Sequence, residues 1–146
     1  MTGSFSGGLV GKRPPPQVQA FVVCRQITHD EQTGEFIIVG PVSHLPIPQF
    51  PASIRVAVYA HVTGGHGTYA LEFELRGAEG DAVWRWQPAD PLDQPDPLTP
   101  AQLAFQAVTI EVPQAGRYDM VLLADGSDVA SQPLLIGMAE AFQGDG

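Results

Sequence analysis

The sequence is poor in cysteine, in cationic residues and in long apolar runs, and each shortage excludes a class of protein. Its single cysteine, Cys24, excludes an intramolecular disulfide and a cysteine-based zinc site. No apolar run approaches the roughly 18 residues of a membrane-spanning helix. The 7 Lys and Arg residues against 16 Asp and Glu residues give a net charge of -9, which repels phosphate backbones and anionic lipid. We therefore expect neither a nucleic-acid partner nor a membrane partner.

The first residues, MTGSFSGGLVGKRPPP, lack the basic segment followed by an apolar segment that marks a secretory signal. A single cysteine is typical of proteins in a reducing compartment, where disulfides do not persist. Together these two features predict a cytoplasmic location.

Glycine and proline, in contrast, are abundant. The 16 Gly and 14 Pro residues are spread between short apolar runs, which favours many short strands joined by turns over long helices. A chain of 146 residues is long enough for one core. We predict a flexible Gly/Pro-rich arm at residues 1–16, a β-sandwich domain at 17–137 and a flexible tail at 138–146.

The clearest strand pattern lies between Ser53 and Arg76. Apolar and polar residues alternate at 54–62 and again at 69–75, on either side of a TGGHG link. A period of two turns one face of a strand to the core and the other to solvent. Because glycines tolerate positive φ, we predict that the two arms form an antiparallel hairpin. Its register would place Arg55 beside Glu74 as a cross-strand ion pair.

Further strands are predicted on both sides of this hairpin. The first has apolar residues on both faces, and the second is a continuous apolar run, EFIIVGPV, which is typical of a central, buried strand. Their bounds, with those of the later strands, are 17–25, 35–42, 82–87, 103–112, 117–124 and 129–136.

Two proline-rich segments are predicted to lie outside the ladders. Residues 44–52 (HLPIPQFPA) are interpreted as a rigid crossover, and residues 88–100 (PADPLDQPDPLTP) as a long rigid loop. Proline lacks the N–H group that a ladder needs and restricts the residue before it. Loops of this length often carry function.

About eight short strands and no convincing helix predict an all-β fold, an antiparallel two-sheet β-sandwich of the immunoglobulin-like, Greek-key type. The Gly-x-Tyr sequence that begins the seventh strand resembles a tyrosine corner, in which the hydroxyl of Tyr118 would bond to nearby backbone. The blurred alternation around Ala107 and Val108 predicts a β-bulge.

Three stretches resemble a family of short bacterial proteins of unknown function. They are VQAFVVCRQITHDEQTGEFIIVGPVSHL, FPASIRVAVYAHVTGGHGTYALEFEL and TIEVPQAGRYDMVLLADGSDVASQPLLI, which together extend over about residues 18–136. The resemblance implies a sandwich fold and brings no established activity. Members of that family commonly carry Asp or a similar polar residue just after the cysteine, where this chain has Arg25.

Catalytic and metal-binding patterns are weak. The four histidines lack H-x-x-x-H and H-E-x-x-H spacing, although His61 and His66 flank the link and could converge on a metal. A set of four aspartates could offer oxygen ligands to calcium but lacks calcium-loop spacing, namely Asp81, Asp90, Asp93 and Asp96. Cys24 lies on a strand predicted to be buried, where a thiolate is unfavourable. We expect no enzyme activity, no catalytic residue, no metal and no cofactor.

Two kinds of non-enzymatic function remain. Low charge density and open sheet edges favour contact with protein, either with further copies of this chain or with another protein. The candidate interface residues are Phe21, Val23, Leu45, Ile47 and Phe50. The alternative is a small-ligand or carbohydrate-binding module, in which Trp84, Trp86 and Tyr59 would form an exposed aromatic platform.

Overall fold

A computed structural model describes residues 13–138, which contain eleven strands and no helix. No part of this region could therefore cross a bilayer as a helix. The strands are β1 (Gln17–His29), β2 (Phe36–Pro41), β3 (His44–Ile47), β4 (Ala52–Thr63), β5 (Gly67–Tyr69), β6 (Leu71–Arg76), β7 (Ala82–Trp86), β8 (Leu92–Gln94), β9 (Ala101–Val112), β10 (Gly116–Ala124) and β11 (Ser127–Met138).

The strands form three sheets. A four-stranded sheet has the order β2-β1-β4-β9, a five-stranded sheet has the order β3-β11-β10-β6-β7, and β5 pairs with β8 alone. Every ladder is antiparallel except β3 with β11, which is parallel. The all-β class is confirmed. The prediction of about eight antiparallel strands in two sheets was too simple, because β3, β5 and β8 are additional short strands.

The main core lies between the two larger sheets and takes buried residues from both. Three partly buried aromatic rings pack around the buried ring of Phe73 of β6. The Phe73 ring lies 6.4 Å from Phe21 of β1, 5.7 Å from Trp86 of β7 and 5.2 Å from Phe105 of β9. Because β1 and β9 belong to one sheet and β6 and β7 to the other, these contacts join the two sheets.

The hairpin predicted between Ser53 and Arg76 is wrong. The alternation in both arms is as expected, but β4 pairs with β1 and β9, whereas β6 pairs with β7 and β10. The link carries the chain from one sheet to the other. Gly64 donates to the carbonyl of Pro97 at 2.9 Å, and Gly65 donates to Oε1 of Gln94 at 2.9 Å. Arg55 and Glu74 consequently lie in different sheets.

Three other predictions about strands are also wrong. The run predicted as a central strand forms β2, which is an edge strand of the four-stranded sheet. The proposed crossover contains β3, which pairs with β11 although it includes Pro46. The proposed rigid loop contains β8, whose Leu92 and Gln94 are buried. In each segment the prolines shorten the strand without preventing it.

Several local predictions are confirmed. The bulge in β9 lies at Ala107, which has a φ of 58° and stands opposite a register shift in β4. The Tyr118 hydroxyl donates to the carbonyl of Gln114 at 2.6 Å, as a tyrosine corner requires. The structure also has a tight turn between β10 and β11, with Asp125 and Gly126 at positive φ.

The predicted terminal segments are described only in part. Residues 1–12 and 139–146 lie outside the described region. Arg13 pairs with Asp125 at 2.8 Å and lies over the ring of Tyr69, 4.0 Å from its centroid. The Tyr69 hydroxyl donates to the carbonyl of Pro14 at 3.0 Å. The last part of the predicted arm is therefore anchored to the end of the domain.

Candidate interaction surface

A second apolar cluster belongs to the four-stranded sheet alone. Because β1, β2, β4 and β9 supply all of its members, it lies on the face turned away from the main core. We call it the outer cluster. Its buried members are Cys24, Ile27 and Ala57, and its partly buried members are Val22, Phe36, Ile38, Tyr59 and Ala104.

Three aromatic side chains form a row beside the outer cluster. The ring centroids of His29 and Phe36 are 4.8 Å apart, and those of Phe36 and Tyr59 are 6.0 Å apart. The Tyr59 hydroxyl donates to Oε1 of Gln102 at 2.6 Å, and partial burial raises the pKa of this hydroxyl. The row therefore presents apolar ring surface together with a polar end, a combination that is common where proteins meet.

Strand β2 is an apolar edge strand whose side chains alternate between the two faces of the sheet, so Ile37 and Val39 lie on the face opposite the outer cluster. Ile37 is 49% exposed and Val39 is 44% exposed, while Phe36 and Ile38 pack on the outer cluster. No residue from Phe36 to Pro41 is charged. An apolar and uncharged edge strand is a site at which another strand can pair.

The backbone of β2 has hydrogen-bonding groups that point away from the sheet. Asp30 donates to the carbonyl of Glu35 at 2.8 Å at the start of the β1–β2 ladder. In an antiparallel ladder, hydrogen-bonded pairs alternate with pairs whose N–H and C=O groups point outward. Since the carbonyl of Glu35 points to β1 and accepts from Asp30, the N–H and C=O groups of Phe36 and Ile38 point to the open edge.

The other edges of the two large sheets carry features that hinder pairing. Edge strand β9 is bulged at Ala107, β7 carries Arg85 and β3 has four residues with Pro46 among them. Bulges, charges, prolines and short length each discourage the addition of a strand. Strand β2 has Pro41 at its last position and Gly40 at a φ of 67°, but Phe36–Val39 form a regular, apolar and uncharged edge, the least protected of these.

Cys24 lies within the outer cluster and is fully buried. Burial raises the pKa of its thiol, and Sγ donates to the carbonyl of Ala57 at 3.6 Å. A raised pKa keeps the group as a thiol, which is a poor nucleophile. The sequence-based prediction that Cys24 is buried is confirmed.

The predicted aromatic platform is not assembled. Trp84 and Trp86 stand opposite Leu75 and Phe73 in the β6–β7 ladder, and both pack partly buried against the main core. Tyr59 belongs to the other sheet and to the outer cluster. The correction follows from the register, because inward-facing partners on β6 turn both tryptophans towards the space between the sheets.

The predicted interface residues belong instead to the domain's own core. Val23 is 0% exposed and Leu45 is 5% exposed, so neither can contact a partner. Phe21, Ile47 and Phe50 are partly buried and pack against the same core. The apolar second face of β1 is explained by the five-stranded sheet, which covers it.

The five-stranded sheet presents a charged outer face. Glu74 accepts from Nε of Arg76 at 2.9 Å and from Nε of Arg85 at 3.1 Å, and Arg76 also binds Asp128 at 2.7 Å. We call these four residues the charged network. Within residues 13–138 no group of three or more His, Cys, Asp or Glu residues could hold a metal ion.

The residues that define the apolar edge strand β2, above all Phe36, Ile37 and Val39, were not identified from the sequence as an interaction surface. The signal was present in EFIIVGPV, which was interpreted as a strand covered on both faces. An uninterrupted apolar run is also compatible with an edge strand that pairs with a strand of another protein chain. The apolar pattern of a strand is the same whether the strand lies at the centre of a sheet or at its edge.

The structure is thus an all-β domain with an apolar surface at one sheet edge. The chain belongs to the family of unknown function DUF6941, which it matches over residues 19–137. The resemblance to a family of unknown function is confirmed. A comparison with curated proteins gives no match. An immunoglobulin-like protein from Pseudomonas aeruginosa is 8% identical, with a TM-score of 0.39 over 86% of this chain and 99% of that chain.

Proposed function

We propose that this domain works by protein–protein contact, without catalysis, and that it self-assembles. The observation that carries the proposal is the edge strand β2, where Ile37 and Val39 are exposed on the face opposite the outer cluster. The outward N–H and C=O groups of this strand add directional bonding to the apolar surface. Addition of a strand to an open edge is a recurring mode of protein recognition.

We also propose that the domain is an immunoglobulin-like sandwich and that the protein is cytoplasmic. The main core shared by two sheets and the Tyr118 hydrogen bond support an immunoglobulin-like sandwich. The single cysteine supports a cytoplasmic protein. Ligand binding at Trp84 and Trp86 is the less favoured alternative, since both rings pack against the core.

The test is native mass by light scattering, from about 1 µM to about 1 mM, a range in which weak association becomes visible. We expect the mass of the wild-type protein to rise with concentration. The double variant Ile37→Lys, Val39→Lys should remain monomeric, because two charges would be buried on pairing.

The matched control is Leu135→Lys. Leu135 is also an exposed apolar residue, 39% exposed, but it lies on the five-stranded sheet, so this variant should associate like the wild type. A wild-type mass that stays at the monomer value throughout contradicts self-assembly. Equal loss of association in both variants contradicts the assignment to β2.

A further inference from the structure

We infer that two copies of this chain join edge to edge through antiparallel β2 strands, with Ile38 of one copy opposite Ile38 of the other. This inference rests on the proposed function and specifies its geometry. The two four-stranded sheets would become one continuous sheet. Ile38 of each copy bonds to Ile38 of the other, because its N–H and C=O groups point to the open edge, and Phe36 of each copy stands opposite Gly40 of the other.

The side chains of β2 favour this register over its neighbours. With Ile38 opposite Ile38, Ile37 of each copy stands opposite Val39 of the other, so both exposed apolar residues are covered. A shift that places Ile37 opposite Ile37 sets Glu35 against Val39, which opposes a carboxylate to an apolar residue. A shift that places Val39 opposite Val39 moves Ile37 to Pro41, where β2 ends.

Charge also favours a second copy in this register. Each chain has a net charge of -9, so association needs a contact zone without like charges, and β2 is uncharged. A Cβ atom placed on Gly40 would lie 3.2 Å from Cδ of Arg25. The Arg25 side chain therefore lies along β2 at Gly40. Glu35 of the second copy, opposite Pro41, would come beside this arginine at both ends of the contact.

The size of the contact predicts a weak dimer. Stable complexes bury roughly 1,200–2,000 Å² of surface, and two strands of 6 residues supply only part of that area. We therefore expect a monomer–dimer equilibrium that shifts with concentration.

Disulfide trapping tests the register directly. In the proposed pairing, Ile37 and Val39 of different copies are about 4.5 Å apart at Cα, which a disulfide can bridge. Diagonal neighbours are about 7–8 Å apart and are bridged poorly. An oxidised mixture of the Ile37→Cys and Val39→Cys variants should yield several-fold more covalent heterodimer than either variant yields as homodimer. The wild type, whose only cysteine is buried, is the control.

Charge reversal provides an independent test. Arg25→Glu alone or Glu35→Arg alone should weaken dimerisation about tenfold, and the two changes together should restore it. Two results would overturn this register and leave the proposed function intact. In the first, the wild type associates but trapping is strongest between two Ile37→Cys chains. In the second, the wild type associates but the double reversal does not restore dimerisation. A wild type that stays monomeric up to about 1 mM overturns both the register and the proposed function.

Discussion

The outer faces of the two large sheets differ in how their apolar side chains are shielded from solvent. On the five-stranded sheet, Val121 stands opposite Glu74 and is only 3% exposed, because the charged network covers it. On the four-stranded sheet, the outer cluster is covered by its own aromatic side chains. Ion pairs therefore cover the outer face of the five-stranded sheet, whereas the four-stranded sheet ends in the apolar edge strand β2.

This difference shows which face is suited to contact another protein. Docking on the charged network would remove water from ionic groups that already have partners, which is costly. Docking at β2 would cover Ile37 and Val39 and satisfy outward backbone groups. The two faces should therefore respond differently to charge, and the following changes test that expectation.

The largest effect is expected from a charge placed in the outer cluster. Ala57 is 1% exposed and stands opposite Cys24, so Ala57→Asp would bury an unpaired carboxylate. We expect the free energy of unfolding to fall by about 3–5 kcal/mol, measured by urea denaturation.

The control for this change is Arg55→Asp on the same strand, where the side chain is exposed. Its effect should be below about 0.5 kcal/mol. If Ala57→Asp is as mild as Arg55→Asp, the outer cluster is not a packed part of the structure.

A smaller effect is expected from loss of charge in the charged network. Burial alone would raise the pKa of Glu74, but hydrogen bonds and charges from Arg76 and Arg85 outweigh it and lower that pKa. Glu74→Gln should lower the free energy of unfolding by about 1–2 kcal/mol at neutral pH. Glu72→Gln, on the same strand, is the control and should change it by less than about 0.5 kcal/mol.

The effect of Glu74→Gln should also depend on pH. Because the pKa of Glu74 is lower in the folded state, its stabilising contribution is complete above the unfolded pKa of about 4. The contribution disappears as the pH falls through the folded-state pKa. Denaturation curves of the wild type and the variant should therefore converge in acid. A constant difference down to a pH of about 2 contradicts the ion pairs.

Sequence patterns predicted local structure well and pairing poorly. The alternation in β4 and β6, the bulge at Ala107 and the corner at Tyr118 depend on neighbours in the chain, and all were predicted. The partners of β4 and β6 depend on where the chain crosses between sheets. Two glycines permit a tight hairpin and a crossover equally well. Bonds from Gly64 and Gly65 to residues 94–97 decide between them.

The candidate surface was missed for the same reason. Residues were assigned to a partner contact when both faces of their strand were apolar, which selected Phe21 and Val23. A strand between two apolar layers has this pattern without any partner. Ile37 and Val39 have a similar pattern but lie at an edge, and only the order of strands separates the two cases.

The mildest test leaves the sequence unchanged and concerns the thiol of Cys24. Because this side chain is fully buried and its pKa is raised, it should react with a thiol reagent only when the outer cluster opens. We expect native protein to be labelled far more slowly than protein in denaturant, with absorbance of the released thiolate as the measurement. If β2 pairing closes the edge beside the cluster, labelling should slow further as protein concentration rises, and the Ile37→Lys, Val39→Lys variant should lose that dependence. Fast labelling of the native wild type would mean that the outer cluster is open to solvent, and the contrast between the two faces would then not hold.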